Sequence, residues 1–241
     1  MNDGIVIIPT YNEIENIEAI IRAVFNLPQA FDVLIVDDSS PDLTHLKVKE
    51  LQAEFPNLHL EVRNEKSGLG TAYIHGFKWC LQRGYDYIFE MDADFSHNPK
   101  DLVRLYKTCK DEGADMAIGS RYIKGVNVVN WPLSRVLLSY LASIYVRLIT
   151  GMKIFDTTAG FVCYKRKVLE TINLDAIKFI GYAFQIEMKF RTFKNKFNIV
   201  EIPIIFTDRT KGESKLSKGI ISEAVFGVVK MKLNSIFSKH N

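Results

Sequence analysis

The stretch FEMDADFSHNP, residues 89–99, decides how the fold is read. An apolar run, Tyr87-Ile88-Phe89, passes through Glu90 and Met91 into two carboxylates, Asp92 and Asp94, and Pro99 is placed to open a helix. Two like charges close in space repel, and burying either one alone costs several kcal/mol. One reading is a plain strand terminus, with Ser96 or Asn98 capping the next helix. The other is that Asp92 and Asp94 serve a divalent cation of the Mg2+ or Mn2+ type. Such ions take hard oxygen ligands and commonly combine one or two carboxylates with a substrate's phosphates.

Outward from this stretch, the first 118 residues alternate short β-rich runs with helical periodicity. The runs are 5–8, 33–36, 58–62, 85–91 and 116–118, and helices are expected after Asn12, Asp42, Gly70 and Asn98. This βαβα order predicts an α/β fold, a mostly parallel sheet with helices on both faces. Ligands of such sheets bind beyond the carboxyl ends of the strands. Four polar clusters stand at those ends: Pro9-Thr10-Tyr11-Asn12-Glu13, Asp37 through Asp42, Asp92-Ala93-Asp94, and Gly119-Ser120-Arg121-Tyr122. The second acidic pair, Asp37-Asp38, strengthens the site reading, since Asp and Ser at 38–40 suit a nucleoside's ring and ribose hydroxyls. The GLGTAY stretch, 68–73, lacks the third glycine of a dinucleotide fingerprint. It is read either as a helix-starting turn or as a backbone contact to ligand.

With 241 residues, 47% of them hydrophobic, the chain is long enough for a substantial core. Its net charge of +3 is too mild for a general nucleic-acid binder. Three cysteines without a CxxC pair argue against a disulfide framework or a zinc site, and a reducing cytosol is expected. The N-terminal residues show no basic region followed by a cleavable apolar segment, so no secretory signal is expected.

Residues 1–211 are read as one catalytic domain and 212–241 as a loop and amphipathic helix extending it. The two longest apolar stretches carry charges, Arg135 and Arg147 in 131–150 and Glu223, Lys230 and Lys232 in 219–238, so neither reads as a membrane span. In the first, Arg135, Ser139, Ser143 and Arg147 recur every four residues and form one polar stripe on an otherwise apolar helix. A phosphate bearing a long hydrocarbon tail would use both surfaces, and a buried helix with snorkelling arginines is the alternative. For the second, packing on the domain and attachment at a membrane interface both stay open.

Seven motifs occur in order: VIIPTYNE (6–13), IVDDSSPD (35–42), KSGLGTAY (66–73), MDADFSH (91–97), GSRY (119–122), GYAFQIEM (181–188) and DRTKGESK (208–215). Together they resemble the dolichol-phosphate and polyprenol-phosphate mannosyltransferases, inverting enzymes of glycosyltransferase family 2 with a Rossmann-like GT-A fold, over about residues 5 to 225. The resemblance implies that Pro9, Tyr11, Glu13, Val36 and Asp38 contact the guanosine of GDP-mannose. It implies that Asp92, Ala93 and Asp94 lie against ribose, metal and diphosphate, with Asp92 and Asp94 as the metal ligands. Arg121, Arg209 and Lys215 match basic positions near the phosphates, with Asp94, Arg209 and Lys215 closest to the chemistry. Arg121, Arg135 and Ser139 match positions for the acceptor phosphate.

The sequence departs from the family pattern at several points. Ser96 stands where a Gln is common, Leu43 where a glycine is common, Val162 where an Arg is common, and Gly125-Val126-Asn127 replace a glycine-rich stretch. The processive-synthase signature QxxRW is absent. The expected reaction is a metal-dependent transfer of mannose from GDP-mannose to dolichyl or polyprenyl phosphate, giving a β-linked product and GDP. A phosphate acceptor is already an anion, so no general base is required. The enzyme would work peripherally at the cytosolic face of a membrane, on the bilayer surface or beside a small membrane-anchored partner. The alternatives are UDP-glucose or another donor with the same acceptor, and a non-catalytic binding subunit.

Overall fold

The computed structural model describes residues 2–181, 183–209 and 218–237, with side chains from 226 to 235 in the last stretch. The first half follows the expected alternation: β1 Gly4–Thr10, α1 Ile17–Phe25, β2 Asp32–Asp37, α2 Thr44–Leu51, β3 Leu58–Val62, α3 Leu69–Arg83, β4 Tyr87–Glu90, α4 Asp101–Lys110 and β5 Met116–Ser120. The second half is less regular. It runs β6 Val128–Val129, α5 Leu133–Thr150, β7 Val162–Lys165, α6 Arg166–Thr171, α7 Ala183–Lys194, β8 Ile199–Pro203, β9 Phe206–Thr207 and α8 Lys218–Phe237.

Among the described residues seven strands form one sheet in the order β3-β2-β1-β4-β7-β5-β8. All neighbours pair in parallel except β7, which runs antiparallel between β4 and β5. The run Ile5-Val6-Ile7-Ile8 shows why the sheet is covered on both sides. Successive side chains of a strand point to opposite faces, and all four are fully buried. Ile5 and Ile7 join the core that holds Tyr73 and Phe77 of α3, whereas Val6 and Ile8 join the core under α1 and α4. Helix α1 meets that second core through Ile17, Ile20, Ile21 and Val24, the one-face spacing of an amphipathic helix. Each such buried side chain contributes roughly 1.5 to 3 kcal/mol.

The glycines of GLGTAY serve packing. A Cβ on Gly70 would stand 2.8 Å from the Phe184 ring and 2.9 Å from the Phe179 carbonyl oxygen, and the Gly70 N–H donates to the Ile180 carbonyl at 2.8 Å. This close approach seats α3 against the segment leading into α7.

Helix α5 inverts the usual amphipathic arrangement. Its polar stripe faces the protein: Arg135 and Ser139 line a cavity, Ser143 is buried and accepts from the Thr157 hydroxyl at 3.4 Å, and Arg147 lies over the Phe155 ring. Leu133, Leu137, Leu141 and Leu148 are exposed, and only Ser143, Val146 and Thr150 of the helix are fully buried. It is therefore not the buried helix weighed as an alternative. By length and composition it is long and apolar enough to cross a membrane, although its stripe is engaged by the domain. Helix α8 packs against α5 and α7. Val228 is buried, Lys232 donates to the Thr150 carbonyl at 3.0 Å, and Phe226 and Leu233 remain exposed. Glu223, expected on its polar face, and the boundary expected at 211/212 lie outside the described side chains and residues.

Candidate active site

Three residues at the carboxyl edge have positive φ without being glycine: Asn12 after β1 (+56°), Ser39 after β2 (+51°) and Phe95 after β4 (+59°). Non-glycine residues seldom adopt this conformation, and such strain concentrates at functional sites. All three lie in loops that carry the polar clusters.

The two acidic residues after β2 have separate tasks. Asp37 is fully buried and accepts from the Thr10 hydroxyl at 2.7 Å, the Ser40 hydroxyl at 2.6 Å and the Ser40 N–H at 2.9 Å. It fastens the first two loops together. Asp38 is gripped by a residue that the sequence reading missed, Arg63, whose Nε and Nη2 donate to the two carboxylate oxygens at 2.6 and 2.7 Å. Arg63 also donates to the Thr71 hydroxyl at 2.8 Å. Beside them the Lys66 ammonium sits 4.1 Å from the centre of the Tyr11 ring, and Glu13 accepts from the Asn16 amide at 3.0 Å. Pro9 pairs with Val36 in the β1–β2 register. Val36 is fully buried.

The Asp-x-Asp loop leads into α4, whose first residue, Asp101, follows Lys100 with no side-chain cap. Asn98 accepts from the Lys100 N–H at 3.1 Å, ahead of the helix. Asp94 accepts from the Ser96 N–H at 3.0 Å and pairs with Arg209 Nη2 at 3.2 Å. Burial, with the Asp94 charge beside it, pushes the Asp92 carboxyl up to about 7, against the pull of Arg209. The Asp92 N–H donates to Nδ1 of His97, whose ring stacks on Phe161 at 4.8 Å between centroids. Burial holds His97 down at about 4, so the ring is neutral and accepts at Nδ1. Ala93 is buried.

Behind the loop lies a buried network. Glu90 accepts from the Gln185 amide at 2.6 Å and the Tyr164 hydroxyl at 3.4 Å. Lys189, fully buried, donates to the Ala159 carbonyl at 2.6 Å and to both the backbone and side-chain oxygens of Gln185 at 3.3 Å. Burial raises Glu90 and lowers Lys189, and each charge partly offsets the shift of the other. The network ties β4, which delivers the Asp-x-Asp loop, to α7 and to the segment before β7.

Arg121 is likewise fixed. Its Nε and Nη2 donate to the carboxylate of the fully buried Asp156 at 2.7 and 2.6 Å, and Nη2 reaches the Thr158 hydroxyl at 2.8 Å. Burial alone would raise Asp156, but Arg121 outweighs it and holds the carboxyl below its ordinary value.

Arg121 borders a cavity of about 370 Å³, within the range of small-ligand sites. Asp92, Asp94, Arg121, Arg135, Asp208 and Arg209 give its lining charge, and Leu138, Leu141, Tyr145 and Val146 give it apolar surface. Two polar atoms on its wall, Ser96 Oγ and Trp131 Nε1, are buried without a hydrogen-bond partner among the described residues. Buried polar groups are normally paired, and orphans here are consistent with a ligand's site. Asp92, Asp94, Arg121, Arg135, Ser139 and Arg209 therefore converge, while Pro9, Tyr11, Glu13 and Asp38 stand at the neighbouring strand ends and do not line the cavity. Lys215 lies outside the described residues. Among the described residues no three His, Cys, Asp or Glu side chains converge on one point. Two carboxylates fit a cation whose remaining ligands come from a diphosphate and water.

Residues 5–172 match the family model described as glycosyl transferase family 2. The chain is 47% identical over 227 residues to the undecaprenyl-phosphate mannosyltransferase of Micrococcus luteus, covering 94% of this chain and 93% of that one. It is 48% identical over 225 residues to the polyprenol monophosphomannose synthase of Mycolicibacterium smegmatis, covering 93% and 84%. It is 38% identical over 223 residues to the dolichol-phosphate mannosyltransferase of Pyrococcus furiosus, covering 90% of this chain and 60% of that protein. In three dimensions it resembles the glucosyl-3-phosphoglycerate synthase of Mycobacterium tuberculosis, solved with Mn2+, uridine diphosphate and glucosyl-3-phosphoglycerate. That match has a TM-score of 0.67 at 15% identity and covers 99% of this chain and 81% of the other, a likeness of fold. The chain belongs to glycosyl transferase family 2 and is built on the GT-A fold.

Proposed function

We propose that this protein transfers mannose from GDP-mannose to the phosphate of a polyprenol or dolichol, with inversion, giving a β-linked lipid-phosphate mannose and GDP. One observation carries the reading: a single cavity is lined both by carboxylates and arginines and by Leu138, Leu141, Tyr145 and Val146. A polyprenyl phosphate has both characters. The names of the relatives in Micrococcus and Mycolicibacterium support the same acceptor class and sugar.

In this reading Asp92 and Asp94 would hold Mg2+ or Mn2+ at the donor's diphosphate, and the cation would supply charge neutralisation to the leaving group. Tyr11, Glu13 and Asp38, at the ends of β1 and β2, take the nucleoside. Arg209, already at Asp94, adds positive charge where the leaving diphosphate gains negative charge. Arg135 and Ser139 hold the acceptor phosphate with an oxygen toward the anomeric carbon. That oxygen forms the new C–O bond as the bond to the diphosphate breaks on the opposite face. The phosphate is already ionised at neutral pH, so no side chain removes a proton. Residues 1–211 and 212–241 act as one unit.

The exposed leucines of α5 and Phe226 and Leu233 of α8 support work at a membrane surface, since exposed apolar area of this kind marks contact with lipid or a partner. Cytosolic, peripheral attachment is the arrangement proposed, on the bilayer or beside a small membrane-anchored partner. The deciding experiment incubates purified protein with Mn2+, a short-chain polyprenyl phosphate and labelled GDP-mannose, UDP-glucose and other nucleotide sugars in turn. Labelled lipid from GDP-mannose alone is expected. Label from UDP-glucose instead transfers the assignment to that donor, and no lipid product from any donor refutes the reading.

A further inference from the structure

Arg121 and Arg63 are held in one way and Arg135 in another. Arg121 spends its Nε–Nη2 edge on Asp156, and Arg63 spends the same edge on Asp38. A carboxylate on that edge forms the two parallel bonds that a phosphate would otherwise take. Arg135 is held end-on: both oxygens of Asp208 accept from Nη1 alone, at 2.9 and 3.0 Å. Its guanidinium carbon lies 4.1 Å from the centre of the Trp131 ring. Among the described residues the hydrogen bonds of Arg135 use Nη1, which leaves its Nε–Nη2 edge for an anion in the cavity.

Asp208 is itself anchored. Its N–H donates to the Val129 carbonyl at 3.0 Å, continuing the β6–β9 pairing in which Val129 meets Thr207. Thr207 N–H in turn donates to the Ser96 carbonyl at 3.3 Å, on the Asp-x-Asp loop. Carboxylate and indole thus fix the guanidinium in two directions, from a support tied to the loop that carries Asp94. An arginine side chain has many rotamers, and freezing them before a ligand arrives saves the entropy of ordering on binding.

We propose that Asp208 is a positioning residue that orients Arg135 for a phosphate monoester. This rests on the lipid-phosphate reading given above. Asp208 also carries a negative charge that opposes an incoming phosphate, so its removal has opposite consequences under the two roles open to it. If Asp208 positions Arg135, its loss weakens the acceptor. If it competes for Arg135, its loss strengthens the acceptor.

The test measures steady-state transfer to a short-chain polyprenyl phosphate for wild type, D208A, D208N and R135A, with affinity for GDP-mannose and Mn2+ read separately by calorimetry. R135A is expected to raise the acceptor KM by about ten- to a hundredfold, the loss of one charge-assisted hydrogen bond. D208A is expected to raise it roughly tenfold, and D208N by less because its amide oxygen still accepts from Nη1. Donor affinity should stay within about twofold throughout. An acceptor KM unchanged or lowered in D208A, or a parallel loss of donor affinity, overturns the inference. Failure of wild type itself to use the lipid phosphate identifies the underlying reading as the error.

Discussion

Nη2 of Arg209 lies 3.2 Å from the Asp94 carboxylate, so the arginine compensates in place the charge that a bound cation would compensate. The first prediction follows from that exchange. Asp94→Asn keeps the size and removes the charge, and turnover should fall by about 10²-fold or more while GDP-mannose binding loses its dependence on Mn2+. Near-normal turnover of the variant at limiting metal, read in a manganese titration, would return Asp94 to a mere strand terminus.

Arg209 supplies the second prediction. Its charge is of most use when the leaving diphosphate develops negative charge, so Arg209→Ala should lower kcat by roughly 10²-fold and leave GDP affinity nearly intact. Equal losses of affinity for GDP and GDP-mannose at unchanged kcat would assign Arg209 to ground-state binding.

Lys189 is fully buried and donates to three oxygens in two segments of the site. Lys189→Met fills similar space but leaves the Ala159 and Gln185 oxygens without their donor and Glu90 without its nearby cation. Breaking a buried charge network from one side typically costs about 3 to 5 kcal/mol. Urea unfolding should show a loss of that order, and a loss below about 0.5 kcal/mol would mean the network is dispensable.

Leu43 tests the departure from the family's glycine. It adopts φ +65°, ψ +24° immediately before α2, with its side chain half exposed. A left-handed conformation costs a non-glycine residue about 1 to 2 kcal/mol, whereas glycine adds unfolded-state entropy worth about 0.5 to 1 kcal/mol. Leu43→Gly should therefore stabilise the protein by up to about 1.5 kcal/mol, and a raised urea midpoint is the expected sign.

His59 gives a pH dependence. Burial lowers its pKa below the ordinary 6.5, Asp32 pulls it up and Arg83 pushes it down. The unfolded chain then binds the proton more tightly than the folded one. Stability is accordingly full above pH 6.5 and declines as pH falls through the interval just below it. His59→Gln should flatten that part of the stability profile between pH 7 and 5.5, and an unchanged slope would show that another group titrates there.

The βαβα order, the Asp-x-Asp loop and the ordered motifs were legible in the chain because each is a local property. Alternation places Ile5 and Ile7 on one face and Val6 and Ile8 on the other within four residues. Asp92 and Asp94 are chemically conspicuous wherever they fall. The stripe on α5 was legible as a stripe, but its direction was not, because periodicity says which residues share a face and not which face meets the protein.

What only the tertiary structure decided depends on partners distant in the chain. β7 enters between β4 and β5, so strand order does not follow sequence order. Arg63 reaches Asp38 across 25 residues, Asp156 reaches Arg121 across 35, Asp208 reaches Arg135 across 73 and Gln185 reaches Glu90 across 95. By itself the sequence determined which charges and apolar faces exist and which strands and helices present them. The physical reason it left the rest open is that a charge pair needs only proximity and shape, both created when separate elements pack. The tertiary structure therefore decided that Arg63 grips Asp38, that Asp156 takes the Nε–Nη2 edge of Arg121, and that Asp208 meets Arg135 at Nη1.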